Sequence, residues 1–67
     1  MQTTGTDELI CFAEELADAA RVLRPGGTLW CVYNNHLPWA SHVQRTIGPT
    51  RQVVRNRRYT VIRTVRR

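Results

Sequence analysis

The sequence predicts an α/β chain with elements in the order α-β-α-β-β, closed by a terminal antiparallel hairpin. Three observations carry this expectation. Apolar residues recur at spacings of three and four ahead of Pro25. The stretch "TLWCVY" is apolar on both of its alternating sets. Two runs rich in β-branched residues flank Asn56 near the carboxyl end. At 67 residues the chain is one domain at most, and a chain this short is marginal when it folds by itself.

Residues 1–6 are polar and read as a frayed lead-in. From Asp7 the spacing of Leu9, Phe12, Ala13, Leu16, Ala20 and Leu23 predicts one helix. Thr6 fits its N-cap, and Asp7 and Glu8 suit the positive end of the helix dipole. Arg21 and Arg24 suit the negative end, Pro25 stops the helix, and Gly26 and Gly27 supply a tight turn. A strand from Thr28 to Tyr33 follows, with Trp30 and Val32 on one side and Leu29, Cys31 and Tyr33 on the other. A strand apolar on both faces belongs inside a sheet covered by helices on both sides, typically a parallel one. Helix, turn and buried strand form the second half of a βαβ unit. The parallel partner strand is expected to be missing from these 67 residues.

Pro38 fits the first position of a short helix whose stripe is Trp39, Val43 and Ile47. Gly48 fits the position after the helix, and Pro49 ends it. Two strands, Arg51 to Arg55 and Arg58 to Val65, then join at Asn56-Arg57, where Asn56 tolerates left-handed backbone. Three strands leave much apolar surface uncovered. The whole chain, 1–67, therefore reads as a single partial domain, the last part of a larger α/β unit. Its uncovered sheet edge could pair with a second copy.

With 42% hydrophobic and 22% charged residues, the composition excludes a disordered tail. All five acids lie at or before Asp18, and all ten basic residues are arginines from Arg21 onward, giving a net charge of +5. A basic half points to an anionic partner, RNA first. Two cysteines, Cys11 and Cys31, are too few for a disulfide framework and are expected to be reduced and buried. No basic-then-apolar leader and no apolar run of spanning length appear, so a cytoplasmic protein with no membrane partner is expected.

"ARVLRPGGTLWCVYN", Ala20 to Asn34, resembles the helix–turn–strand late in class I S-adenosylmethionine-dependent methyltransferases, where an "L-(K/R)-P-G-G" turn precedes the fifth strand of a Rossmann-like sheet. "VYNNHLPW" resembles the "N-x-H-L-x-Y" stretch of the small-subunit ribosomal RNA (guanine-N2) methyltransferases, with Trp39 in place of tyrosine. "IGPTRQVVRNRRYTVIRTVRR", Ile47 to Arg67, is similar to the closing segment of the same family, and the match covers about Asp7 to Arg67. The resemblance implies S-adenosylmethionine as methyl donor and ribosomal RNA as partner. It also implies that the last strand inserts antiparallel between the two before it. The family's glycine-rich turn, its ribose-binding acid and its "N-P-P-(F/Y)" loop have no counterpart here. What is implied is the carboxyl-terminal fragment of such an enzyme, inactive alone, with no catalytic and no cofactor-binding residue of its own. No cofactor is expected to bind this chain by itself.

Asn34, Asn35 and His36 fall at the carboxyl end of the predicted strand, where ligands bind in open α/β sheets. In an intact enzyme they would line the pocket for the substrate base, with Trp39 stacking on it. The alternative is that the asparagines satisfy a strand-to-helix turn and Trp39 packs in the core. Arg51, Arg55, Arg57 and Arg58 are candidate RNA-phosphate contacts, the alternative being a solvated surface with edge protection. Cys31, His36 and His42 fit no standard zinc spacing, so no metal site is expected. Neither cysteine has the basic neighbourhood that would activate a thiolate. A second reading, from the charge and the arginine-rich hairpin, is a small basic RNA-binding or ribosome-associated module without enzymatic activity.

Overall fold

The computed structural model describes residues 5–67; residues 1–4 of the expected lead-in lie outside the described residues. Strand β1 (Thr6–Phe12) leads through a 3-10 turn (Ala13–Glu15) into helix α1 (Leu16–Val22). Strand β2 (Leu23–Asn34), helix α2 (Trp39–Thr46), strand β3 (Thr50–Arg55) and strand β4 (Tyr59–Val65) follow. The four strands form one mixed sheet in the order β1-β2-β4-β3. β1 runs parallel to β2, and β4 runs antiparallel to both β2 and β3. The last strand therefore lies between the two before it, as the resemblance implies.

The segment expected as a single helix from Asp7 is divided, so the order α-β-α-β-β is corrected to β-α-β-α-β-β. Residues 6–12 satisfy a period of two as well as a helical period. Leu9 and Cys11 lie in register with Leu29 and Cys31, and Glu8, Ile10 and Phe12 alternate to the other face. Ile10, Cys11 and Phe12 suit a pleated strand, and pairing with β2 satisfies a row of backbone groups that β2 would otherwise leave open on that edge. The parallel neighbour expected to be missing is thus supplied by this chain. Helix begins only after Phe12, where the Phe12 amide donates to Glu15 Oε1 at 3.2 Å.

β2 starts five residues earlier than expected. Thr6 pairs with Leu23 but Glu8 pairs with Thr28, so Arg24 to Gly27 bulge out of the ladder. Gly26 takes φ +85°, and a Cβ on Gly27 would sit 2.9 Å from the Arg24 carbonyl oxygen. Both glycines are needed for the chain to turn this tightly onto the sheet.

Both helices pack on one face. Its core joins Cys11, Leu29, Cys31 and Ile62 of the sheet to Ala13, Leu16 and Ala19 of the first connection and to Val43 and Ile47 of the second. Burying a side chain such as Leu29 or Ile62 contributes about 1.5–3 kcal/mol. On the opposite face no described element covers Ile10, Phe12, Val54, Tyr59 or Val65. Helices on both sides of the sheet were expected; among the described residues only one side has them.

Three local expectations also change. Pro38 is the N-cap of α2 and not its first helical residue. Gly48 is not left-handed, since Gly5 and Gly26 alone take positive φ among the described residues. It is needed because a Cβ there would land on the Val65 carbonyl oxygen. The hairpin connection has three residues, 56–58, with Asn56 outside the left-handed region. Asn56 turns the chain through its side chain: Oδ1 accepts from the amides of Arg58 and Tyr59, both at 2.8 Å.

The carboxyl end is tied down on two sides. The Arg67 amide donates to Ile47 O at 3.0 Å and its guanidinium to Gln44 O at 3.0 Å, capping α2. Arg66 donates through its guanidinium to Leu23 O, and its amide donates to Gly27 O at 2.9 Å. Thr64 Oγ1 lies within hydrogen-bond reach of Gly48 O and Pro49 O, at 3.0 and 2.8 Å.

Gly48→Ala is expected to lower stability by roughly 1–3 kcal/mol or more, because backbone and not a movable side chain opposes the new methyl; the urea midpoint measures it. Cys11 and Cys31 face each other across β1 and β2, and burial pushes the Cys31 thiol up to about 12 from its ordinary 9.0 and raises that of Cys11. The neutral thiol is favoured in the folded chain. Its contribution is therefore full below about pH 9 and is lost as pH rises toward 12. The melting temperature should fall over that window, and Cys31→Ala should flatten the fall; an equal slope in the variant would refute the assignment.

Candidate functional site

β2 ends at Asn34, and its chain direction places residues 34–36 beyond the carboxyl end of the parallel pair β1–β2. Such ends are where open α/β sheets hold ligands. The turn that follows is short: the Leu37 amide donates to Asn34 O at 3.0 Å. β4 starts directly beside it, because Asn34 pairs with Tyr59 in the antiparallel ladder. The tip of the β3–β4 hairpin is therefore held against the 34–36 turn.

Asn35 joins the two. Its amide nitrogen donates to Arg58 O at 2.8 Å, its Nδ2 donates to Asn56 O at 2.7 Å, and its Oδ1 accepts from the Thr60 hydroxyl at 2.6 Å. Thr60 is buried, so this last bond also satisfies a hydroxyl that has left water. Asn56 in turn shapes the hairpin tip. Two segments separated by more than twenty residues are fixed to each other by neutral hydrogen bonds alone.

The sequence-predicted residues divide on this frame. Asn34 and His36 are exposed at the turn. Asn35 is half-buried, with both ends of its amide engaged within the chain. Trp39 is half-buried and lies on the helix side, its ring edge-on to His42 with centroids 5.6 Å apart. It lines a cleft of about 330 Å3 between α1 and α2 together with Leu16, Ala20, His42 and Ile47, and residues 34–36 do not border that cleft. The four candidates of the base pocket are therefore not gathered into one concave wall.

Arg57 and Arg58 stand on the hairpin tip and Arg55 at its base, all exposed. They come next to Asn34 and His36 through the Asn35 bonds. Arg51 is not part of this group; it pairs with Arg63 toward the other end of the hairpin. Among the described residues, only Arg21 and Arg24 pair with a carboxylate, Asp18 at 3.1 Å and Asp7 at 2.9 Å. Arg66 and Arg67 are engaged by carbonyl oxygens. The positive charge left without acidic neighbours is concentrated on the hairpin.

Thr60 and Asn56 were not singled out as site residues from the sequence, although an asparagine between two strands is a known turn-former. No group of three or more His, Cys, Asp or Glu side chains able to hold a metal comes together among the described residues. No described helix is long and apolar enough to cross a membrane. A glycine-rich turn is absent after β1, where the 3-10 turn Ala13–Glu15 follows directly. Gly26, Gly27 and Gly48 serve tight backbone turns and approaches. Among the described residues, the glycines therefore make no turn of the kind that cradles S-adenosylmethionine.

Comparison with known proteins agrees with this architecture. The methyltransferase small domain family matches residues 3–63. The ribosomal RNA small subunit methyltransferase C of Hahella chejuensis is 43% identical over 51 residues, 76% of this chain and 15% of that protein. The ribosomal RNA large subunit methyltransferase G of Streptomyces coelicolor is 42% identical over 48 residues, 72% of this chain and 13% of that protein. The protein of the same name from Aeromonas salmonicida is 33% identical over 51 residues, 76% of this chain and 14% of that protein. The chain spans about one seventh of the length of these relatives. By its sequence match and its mixed α/β sheet, the chain belongs to the methyltransferase small domain family.

Proposed function

We propose that this chain is the carboxyl-terminal part of a cytoplasmic, S-adenosylmethionine-dependent ribosomal RNA (guanine-N2) methyltransferase, and that it is inactive by itself. The observation that carries this reading is the identity to ribosomal RNA methyltransferases over 48–51 residues. The sheet order supports it, with the last strand inserted between its predecessors.

In the intact enzyme the exposed side chains of Asn34 and His36 form one wall beside the target base. Arg55, Arg57 and Arg58 on the hairpin tip hold the RNA backbone. Asn35 keeps the two in register and does not touch substrate. Trp39 belongs to the packing between α1 and α2. S-adenosylmethionine supplies the methyl group in the family. The residues of this chain make no donor set for it, so methyl transfer requires structure beyond these residues. Catalysis of this kind depends on positioning both substrates, and one wall positions neither.

A second reading rests on the unpaired arginines: a basic RNA-binding or ribosome-associated module with no enzymatic role. The two differ in what the isolated chain does. On the leading reading, calorimetric titration with S-adenosylmethionine gives no saturable heat, and a micromolar dissociation constant would overturn it. On the second, the chain alone binds RNA tightly. In either case replacing Arg55, Arg57 and Arg58 together by alanine should lower the slope of log affinity against log salt by about 2–3. An unchanged slope removes the hairpin tip from the interface.

A further inference from the structure

Helix α2 carries a second stripe beside the one that enters the core. Val43 and Ile47 hold the helix on the sheet, while Ser41, Gln44 and Arg45, spaced i, i+3, i+4, share another side. On the edge strand β3, Thr50 and Gln52 are two apart and lie in register with Thr64 and Ile62, so they face the same side of the sheet as α2. Between helix and strand lies a cleft of about 310 Å3, floored by buried Ile62 and half-buried Tyr33. It shares no residue with the cleft that holds Trp39. The Thr50 hydroxyl is engaged by Gly48 O and the Thr64 hydroxyl, and the carbonyl oxygens of Gln44 and Arg45 accept from Arg67. Among the described residues, no hydrogen bond or ion pair engages the side chains of Tyr33, Ser41, Gln44, Arg45 or Gln52. Five polar side chains thus border one cleft with their hydrogen-bonding capacity unused by the chain.

The chemistry of this lining narrows the ligand. Arg45 supplies a single positive charge, and no carboxylate lines the cleft, so a cation finds no counter-charge there. The two primary amides each offer donors and an acceptor to a planar polar edge. Tyr33, Ala40 and Ile62 offer apolar surface beneath it. A neutral ring with a hydrogen-bonding edge and one attached anionic group fits this set, and the volume is at the low end for a small-molecule pocket. That is the chemistry of one unpaired nucleotide. Position agrees with it. Tyr33 directly precedes Asn34, and Thr60, which Asn35 holds, lies two residues along β4 from Ile62, roughly 7 Å. The cleft therefore begins one side-chain row from the turn that carries Asn34 and His36.

We propose that this cleft takes an unpaired nucleotide flanking the target base, with the amides of Gln44 and Gln52 on the edge of its base and Arg45 on its phosphate. The ligand class rests on the ribosomal RNA reading above. The cleft is a specificity subsite: it reads a neighbour of the target, and none of its residues is catalytic. The probes are the four nucleoside 5′-monophosphates, titrated into the isotope-labelled chain of 67 residues. At least one should move the side-chain amide signals of Gln44 and Gln52 along a saturating curve, with a dissociation constant of about 1 mM or below. Ribose 5-phosphate, which lacks the base, should leave those signals in place. Gln44→Ala and Gln52→Ala, both at exposed positions, should each weaken binding about three- to tenfold with an unchanged circular dichroism spectrum. In Arg45→Gln the monophosphate should bind no more tightly than its nucleoside. No saturable shift with any of the four, an equal response to ribose 5-phosphate, or unchanged affinity in both glutamine variants would each overturn the proposal. The titration of the unaltered chain needs no variant and so stands even if a substitution unfolds it. The two readings fail separately. An unchanged salt slope in the hairpin-arginine variant, with the shifts intact, removes the ribosomal RNA reading and leaves a nucleotide cleft; a lowered slope without the shifts removes the cleft alone.

Discussion

Everything in this molecule hangs on β2 being apolar on both sides. Leu29 and Cys31 are fully buried beneath the helices, and Trp30 and Val32 lie half-buried on the other face. The strand is central in the sheet, with a parallel neighbour on one side and an antiparallel one on the other. Its inward face draws α1 and α2 into one core with Cys11 and Ile62. Two adjacent thiols, Cys11 and Cys31, fill the middle of that core as small apolar groups, and burial keeps them protonated. The same strand presents Trp30 and Val32 outward, on a face that no described element covers.

The end of β2 also locates the candidate site. A turn immediately after a buried strand has polar backbone groups to satisfy, and Asn35 satisfies those of its own turn and of the hairpin tip at once. That bond set brings Arg57 and Arg58 beside Asn34 and His36. The charge at the site comes from exposed arginines, while its geometry comes from neutral amide and hydroxyl groups. Rigidity and electrostatics are thus held by different residues, and changes to the arginines leave the frame intact. The tertiary contacts of the last two arginines show the converse: Arg66 and Arg67 spend their guanidinium groups on backbone carbonyls and bind the chain end to the bulge before Thr28 and to α2.

Much of this was legible beforehand. The doubly apolar strand, the short helix with its Trp39, Val43 and Ile47 stripe, and the closing hairpin follow from period and from turn residues that act locally. The family was legible from "LRPGG" and the closing "GPTRQ" stretch. Residues 6–12 were not, because Leu9 and Phe12 fit a helix while Leu9 and Cys11 fit a strand, and nothing local separates the two. The need for Gly48 was misread for a related reason: its constraint is the Val65 carbonyl, seventeen residues away in sequence.

By itself, then, the sequence determined the apolar periods of the central strand and the short helix, roughly where the chain turns, and the segregation of acid from base, since each is set by residues close along the chain. Tertiary structure alone decided that residues 6–12 pair with β2, that Asn35 clasps the hairpin, and that both described helices pack on the same face of the sheet. Those outcomes depend on which backbone edge and which apolar surface are available across the sheet, and residue order along the chain does not specify that.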